Sequence, residues 1–132
     1  DLINALIVWS IIWSIGANIT DSSRFGFQEY LYRRFGIHLS TPYAMLLEEP
    51  YDHFVDLSKS CLRSWLDIQP PFIYDTNSPY FNILVPTVDT TRYRYLLDIL
   101  MKSGNNVLFM AETGVGKSVV INNFLNEMVN EG

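Results

Sequence analysis

The residues with the clearest chemical potential form one short loop near the end of the 132-residue chain. The loop fits the pattern G-x-x-x-x-G-K-[ST] with alanine in place of the first glycine, and it runs Ala111, Glu112, Thr113, Gly114, Val115, Gly116, Lys117 and Ser118. Backbone N–H groups of such a loop can surround the β-phosphate of a nucleotide, and the next helix directs its positive N-terminus at the same oxygens. The pattern therefore predicts a phosphate-binding loop.

Individual residues of the loop have separate predicted roles. Gly114 and Gly116 allow the backbone a positive φ and a close approach to an anion. Lys117 can reach the β- and γ-phosphates, and the Ser118 hydroxyl can supply one ligand to Mg²⁺. Alanine at position 111 costs about 1 kcal/mol relative to glycine if that residue needs a positive φ, and nothing if it is extended. Ala111 therefore bears on affinity more than on the assignment.

A glycine-rich turn with an exposed lysine is the alternative interpretation of the same residues. The flanking sequence favours the phosphate loop, because the apolar run 107–110 before it has the pattern of a parallel strand covered on both faces. After the loop, helical spacing is shared by Val119, Val120, Ile121, Phe124, Leu125 and Met128. A strand before the motif and a helix after it form the context that this motif requires.

Two helices are predicted at the start of the chain. The run 2–17 is apolar nearly all round and predicts one helix. The capping residues at 21–23 begin a second helix, and Gly36 is expected to end it. The buried face of this second helix is expected to carry Phe25, Tyr30, Leu31 and Phe35. Ser40-Thr41-Pro42 then predicts either a turn or the start of a short helix over 43–49, which Pro50 ends.

The middle of the chain changes character twice. The segments 51–57 and 61–66 alternate with period two and predict an antiparallel hairpin. From 70 to 86, four prolines among aromatic and aliphatic residues exclude a helix and predict an extended segment that buries its rings against a neighbouring module. Capping residues at 87–91 precede a further helical pattern, which Gly104 ends. The predicted fold class is α/β, a partial P-loop NTPase with an N-terminal helical segment and a β-hairpin.

Composition and charge exclude several function classes. A net charge of −5 with only nine lysines and arginines offers no continuous cationic face for nucleic acid. A single cysteine excludes an internal disulfide, and no Cys/His cluster has the spacing of a zinc site. The apolar run 2–17 is shorter than the ~20 residues of a membrane span and has no basic anchors, which favours a buried core helix. Because the chain begins with Asp1, it is expected to be an excerpt of a longer protein.

The remaining candidate residues have structural interpretations. His38 and His53 lack partners for a catalytic or metal site, and Cys61 is expected to be a packed thiol. Trp9, Trp13 and Trp65 are expected to fill a core or an interface. For Arg92 and Arg94, a solvated helix face or a salt bridge is favoured over an arginine finger.

Most of the sequence resembles dynein heavy chains well beyond the loop motif. The similarity is carried by 80–97, which begins Tyr80-Phe-Asn-Ile-Leu-Val-Pro, and by 107–120, which contains the phosphate loop. Upstream, Ile12-Trp-Ser-Ile-Gly-Ala17 and Ser23-Arg-Phe25 are similar to the helices that close the second AAA+ module of that family. The extended segment is more similar to axonemal than to cytoplasmic dyneins.

The resemblance implies a three-part organisation. Residues 1–49 would be the helical end of the preceding AAA+ small subdomain, 50–86 a hairpin and inter-module seam, and 87–132 the start of the third AAA+ large subdomain. Glu112 to Ser118 would take the phosphate-binding role. Leu84, Val85, Pro86 and Thr87 match the segment that passes beside adenine in this family, although an apolar strand with a proline is also typical of plain packing.

The resemblance also implies a function. The parent protein would be a minus-end-directed microtubule motor in which this module binds ATP or ADP with Mg²⁺ and regulates its neighbours. Expected partners are the other AAA+ modules, dynein intermediate and light chains, and microtubules contacted by parts outside this segment, with no nucleic acid and no membrane. The expected location is the cytoplasm and cytoskeleton, in the axoneme of a cilium or flagellum.

Alternatives remain open at this point. The chain could belong to another P-loop NTPase such as a kinase or GTPase, be a scaffold piece with a vestigial loop, or be a membrane protein anchored by 2–17. Only 14 residues follow Ser118, so the distal acidic strand and the arginine that P-loop hydrolysis requires are missing from this segment. The segment alone is therefore not expected to hydrolyse ATP.

Overall fold

A computed structural model describes residues 1–74, 85–110, 112–114 and 116–131 of the chain. Ala111, Val115 and Leu84 lie outside the described residues, as does most of the predicted extended seam. The chain divides into two units, Asp1–Asp67 and Ile68–Gly132.

The first unit begins with two helices. Helix α1 spans Leu2–Ser14, and a 3₁₀ turn at Gly16–Asn18 follows it. Helix α2 spans Asp21–Phe35 and runs into a second 3₁₀ turn at Gly36–His38. Gly36 has a φ of −55°, so the chain leaves α2 in the right-handed region and does not use a left-handed glycine cap. The short helix α3 spans Met45–Glu48.

One face of α1 forms the centre of the first unit. Ala5, Val8 and Ile12 are fully buried, at the spacing that places side chains on one side of a helix. The cluster around them also contains Leu31, Leu39, Leu46, Leu47 and Val55, with Trp9 and Trp13 packed against it. Ile3 and Ile7 on other sides of α1 are exposed, as is Ile15 directly after the helix. Helix α1 therefore carries more apolar side chains than this unit buries.

A two-stranded antiparallel hairpin completes the first unit. Strand β1 spans His53–Asp56 and strand β2 spans Cys61–Ser64, with His53 opposite Ser64 and Asp56 opposite Cys61. A 3₁₀ turn at Trp65–Asp67 follows. The Trp65 ring is fully buried and stacks on Phe54, and its indole N–H donates to the Tyr51 carbonyl at 2.9 Å. The predicted hairpin is confirmed.

Two helices dominate the second unit. Helix α4 spans Val88–Lys102, and helix α5 spans Lys117–Glu131. Thr87 and Thr90 form a reciprocal capping box at the start of α4, which satisfies backbone N–H groups that a helix leaves unpaired. Gly104 follows the helix with a φ of +76°, as the sequence predicts. The apolar spacing predicts both helices, and both are confirmed.

The strand predicted at 107–110 is wrong for the described chain. The segment 105–110 belongs to no helix or strand. Leu108 and Met110 are each 81% exposed, whereas Val107 and Phe109 are half-buried. A strand requires a hydrogen-bonded neighbour, and the described residues give this segment none. The run is apolar, but the described residues do not form the neighbouring strand and helices that would cover both of its faces.

The predicted buried face of α2 is also wrong in part. Leu31 is fully buried and Phe35 is half-buried, but Phe25 is 77% exposed and Tyr30 is also exposed. Leu31 lies in the cluster around α1 and α3. Phe25 and Tyr30 lie on other sides of the helix from Leu31, because 100° of rotation separates successive residues.

The described part of the chain contains no helix that is both long enough and apolar enough to cross a bilayer.

Candidate phosphate-binding site

Two glycines of the loop before α5 have the positive φ that the sequence allows for, although the segment 105–110 before the loop is not a strand. Gly114 has a φ of +89° and Gly116 a φ of +82°, both in the left-handed region that side chains disfavour. Among the described residues, apart from the chain neighbours of each glycine, no heavy atom lies within 4 Å of the position that a Cβ would occupy on Gly114 or Gly116. The two glycines therefore turn the chain and leave open space beside the loop, so that an anion could approach its backbone.

Helix α5 begins directly at the end of this loop, at Lys117. The N–H groups of Val119 and Val120 both donate to the Gly116 carbonyl, at 3.1 and 3.2 Å. The last loop glycine is therefore also the first acceptor of the helix. This arrangement directs the positive end of the α5 dipole at the loop.

The Lys117 side chain folds back over the loop. Its ammonium donates to the Glu112 carbonyl at 2.5 Å. This contact holds the one cation of the motif beside the backbone that would surround a phosphate. Lys117 is half-buried, whereas Glu112, Thr113 and Gly114 are exposed.

The metal-binding prediction rests on Ser118 alone. Its side chain is exposed in the first turn of α5, so its hydroxyl is accessible to a bound cation. Across the residues that the structure describes, no three His, Cys, Asp or Glu side chains lie together as a metal site. Mg²⁺ takes few protein ligands when it also binds phosphate oxygens, so one hydroxyl fits a nucleotide-bound Mg²⁺ and does not fit a protein-only site.

The segment predicted to lie beside adenine leads directly into α4. Val85 is exposed, and Pro86 is half-buried with its carbonyl accepting a hydrogen bond from Gln69 Nε2 at 3.0 Å. Thr87 is the N-cap of α4. The structure thus places Val85 to Thr87 at the start of α4 and the phosphate loop at the start of α5, within the same unit.

Helix α4 contacts the segment that precedes the phosphate loop and the helix that follows it. The Tyr93 ring meets the Phe109 ring edge to face, with centroids 6.2 Å apart and an interplanar angle of 87°. Arg94 forms an ion pair with Glu127 of α5. Sequence reasoning misses these two residues as positioning residues, because their partners lie 16 and 33 positions away. The helical pattern of α4 alone gives no signal for such pairs.

A groove of about 490 Å³ runs along α4 and α5. Its walls include Thr90, Arg94 and Asp98 from α4, and Asn123 and Glu127 from α5. Both members of the ion pair between α4 and α5 line this groove. The pair therefore joins the two helices at the groove.

The other candidate residues have the structural roles expected of them. His53 is buried in β1 with Nδ1 3.4 Å from the Glu49 carbonyl, and His38 is exposed. Cys61 is a partly buried free thiol in β2. Arg92 pairs with Asp89 and lies over the Tyr93 ring at 5.4 Å, so its guanidinium is engaged within α4.

Asp56 shows a marked pKa shift and lies outside the loop. The Ser58 hydroxyl, which donates at 2.6 Å, is the main cause that holds the pKa of Asp56 at about 2, below its ordinary 3.8. Arg63 at 3.1 Å and the N–H groups of Ser58 and Lys59 lower the pKa further. Asp56 closes the hairpin turn, and its role is structural.

Comparison with known proteins identifies both halves of the chain. The family described as the dynein heavy chain AAA lid domain matches residues 1–67, and the P-loop containing dynein motor region matches residues 72–132. Dynein axonemal heavy chain 6 of Homo sapiens is 35% identical over 123 residues, which cover 92% of this chain. Dynein axonemal heavy chain 2 of Homo sapiens is 30% identical over 131 residues and 96% of this chain.

The chain spans only 3% of the length of each of these two relatives. No solved structure matches it. With a lid-domain match over 1–67 and a motor-region match over 72–132, the chain belongs to the dynein heavy chain family.

Proposed function

We propose that this chain is a nucleotide-binding AAA+ segment of a dynein motor, and that it binds ATP or ADP with Mg²⁺ at the loop 111–118. The observation that carries the proposal is the pair of left-handed glycines, Gly114 and Gly116, with open space beside them and a helix beginning at Lys117.

Each part of the loop contributes to binding in a different way. Backbone N–H groups from Glu112 to Ser118 and the N-terminus of α5 stabilise the phosphate oxygens. The Lys117 ammonium balances charge on the β- and γ-phosphates. Ser118 would hold Mg²⁺, which supplies further charge neutralisation when it is bound. Val85, Pro86 and Thr87 would lie beside adenine and orient the base.

The proposed role within the motor is regulatory. Binding closes the module around the phosphates, and the closure changes how neighbouring modules pack, because the ligand makes different contacts in the two states. Residues 1–49 would end the second AAA+ module, 50–86 would form the hairpin and seam, and 87–132 would open the third. P-loop hydrolysis also requires an acidic strand and an arginine, and the proposal assigns neither role to a residue of this segment, so the proposed activity is nucleotide binding.

The proposed setting follows from the family. The other AAA+ modules of the same heavy chain would be direct neighbours, and intermediate and light chains and microtubules would be contacted elsewhere in the parent protein. The similarity to axonemal heavy chains supports a place in the axoneme of a cilium or flagellum. Membership in the dynein family removes the kinase and GTPase alternative, and a vestigial loop is the remaining alternative to test.

The test is nucleotide binding by the parent heavy chain, read at this site alone. A photoreactive azido-ATP is crosslinked, and the label is quantified on peptides that contain 85–118. We expect Lys117→Ala to reduce site-specific labelling at least tenfold, because it removes the only side-chain cation of the loop. Lys59→Ala, which changes a lysine in the hairpin turn, is the matched control and should label as the wild-type protein does. Equal labelling of the Lys117→Ala protein would show that the loop is vestigial.

A further inference from the structure

We infer that α4 sets the separation between the base-binding and phosphate-binding parts of the site, with Tyr93 and Arg94 as positioning residues. The inference rests on the proposed nucleotide binding, and it assigns roles to two residues that touch neither the loop motif nor the predicted adenine segment. The chemical class that it concerns is a nucleotide, which must contact both parts at once.

The base side is fixed to the start of α4. Thr90 N–H donates to Thr87 Oγ1 at 3.1 Å, and Thr87 N–H donates back to Thr90 Oγ1 at 2.8 Å. Thr91 Oγ1 donates to the Thr87 carbonyl at 2.8 Å. Three hydrogen bonds therefore join Thr87 to the first turn of the helix, so the end of the segment 85–87 moves with α4.

The chain entering the phosphate loop is held by an aromatic contact. Phe109 lies two positions before the loop, and its half-buried ring meets the Tyr93 ring edge to face at 6.2 Å. Edge-to-face pairs have a preferred geometry beyond their apolar contact. The neighbouring Leu108 and Met110 are mostly exposed, so the contact of Phe109 with Tyr93 anchors this segment to α4.

The chain leaving the phosphate loop is held by a charge pair. Glu127 lies on α5, ten residues after Lys117, and pairs with Arg94 of α4. Ten helical residues span about 15 Å, so a shift of α5 at Glu127 moves the loop as the end of a rigid rod. The pair is about half exposed, and its contribution to overall stability is therefore small. The role that we infer for the pair is to fix the orientation of α5 and, with it, the position of the loop.

Two adjacent residues of α4, Tyr93 and Arg94, thus hold the segment before the loop and the helix after it. The start of α4 holds the predicted adenine segment. A ligand that contacts only the loop is insensitive to the spacing between the two parts. A nucleotide is sensitive to it, because misplacing either part loses one set of contacts. The ratio of the affinity for ATP to the affinity for inorganic tripolyphosphate therefore measures how well α4 keeps the spacing. We call this ratio the advantage of ATP.

The experiment uses the azido-ATP labelling described above in the parent heavy chain, with ATP and inorganic tripolyphosphate as competitors. We expect ATP to compete better than tripolyphosphate in the wild-type protein. Arg94→Glu and Glu127→Arg should each reduce this advantage about fivefold, the scale that a surface pair and its reversal allow. The double variant Arg94→Glu/Glu127→Arg restores opposite charges and should recover the advantage to within about twofold.

Tyr93 provides an independent arm. Tyr93→Phe keeps the ring and should leave the advantage of ATP unchanged, whereas Tyr93→Ala should reduce it. The inference is overturned if ATP and tripolyphosphate weaken together in the single variants, if the ratio does not change, or if the double variant fails to recover. A wild-type protein that takes no label displaceable by ATP overturns the proposed function itself, and the inference with it, before any α4 variant is compared.

Discussion

At the scale of single residues, Asp56 connects the hairpin turn to the pH dependence of folding. Its carboxylate accepts hydrogen bonds from Ser58 and Lys59 and pairs with Arg63. These contacts hold the pKa of Asp56 at about 2 in the folded protein, against an ordinary value of 3.8. The unfolded chain therefore takes up the proton first as the pH falls, so the stabilisation is fully present above about pH 4 and is lost on the way down to about pH 2.

We predict that Asp56→Asn removes this part of the pH dependence. The free energy of unfolding of the variant should fall less than that of the wild-type protein between about pH 5 and about pH 2, because the amide has no proton to gain. Denaturant unfolding at a series of pH values, followed by far-ultraviolet circular dichroism, measures the difference. Parallel pH curves for the two proteins would contradict the assignment.

Gly16 is the position where the first unit has least room. A Cβ on Gly16 would lie 2.5 Å from the Phe27 ring and 2.9 Å from the Tyr51 hydroxyl, which itself donates to the Gly16 carbonyl. We predict that Gly16→Ala destabilises the protein by about 1–3 kcal/mol, the usual cost of forcing an extra carbon into a packed site. Thermal or denaturant unfolding measures it.

The matched control for this substitution is Gly26→Ala. Gly26 lies in the middle of α2, where no heavy atom of the described residues outside the local helix backbone is within 4 Å of the position that an added methyl carbon would occupy. Alanine has the higher helix propensity there, so this variant should gain up to about 1 kcal/mol. Equal destabilisation by the two substitutions would show that crowding at Gly16 is not the cause.

At the scale of elements, the capping box of α4 has a measurable role. Thr87→Ala should lower helix stability by about 1 kcal/mol and speed amide exchange in the first turn of α4, since it removes the side-chain acceptor for the Thr90 N–H. Thr87→Ser keeps the hydroxyl and should exchange at nearly the wild-type rate. Unchanged exchange in the alanine variant would mean that the cap does not limit fraying.

The elements differ in how well the sequence predicts them. The hairpin and the helices α4 and α5 follow from local signals, namely alternation around 58–60 and capping residues before an apolar spacing. The strand at 107–110 does not follow, because a strand depends on a neighbour that local sequence cannot supply. The exposure of Phe25 has the same origin, since which side of α2 is covered depends on the position of α1 and α3.

At the scale of the whole molecule, the candidate site separates into predictable and unpredictable parts. One contiguous motif identifies Gly114, Gly116 and Lys117, and the structure confirms the positive φ of both glycines. The sequence does not identify Tyr93 and Arg94 as positioning residues, because their partners Phe109 and Glu127 are distant along the chain. Motifs reveal the atoms that contact a ligand, whereas the spacing between them is a property of tertiary packing.

Ligand binding should also be visible in the exchange behaviour of the molecule. We predict that ATP slows amide exchange at Val85, at Thr87 and in the first turn of α5, because a ligand that binds only the folded site stabilises it increasingly as its concentration rises above the dissociation constant. Exchange in the hairpin at His53–Asp56 is the internal reference, since no residue of the proposed site lies there. The same measurement on Lys117→Ala should show no ATP effect in α5.

The hydrogen bond between Lys117 and the Glu112 carbonyl has a consequence for the entropy of recognition. A free lysine side chain samples many rotamers, and immobilising it costs up to about 2 kcal/mol. Here the ammonium is already held at the rim of the loop, so much of that freedom is gone before an anion arrives. An incoming polyphosphate binds a charge that already has a defined position. Less of the binding free energy is therefore lost in ordering the side chain.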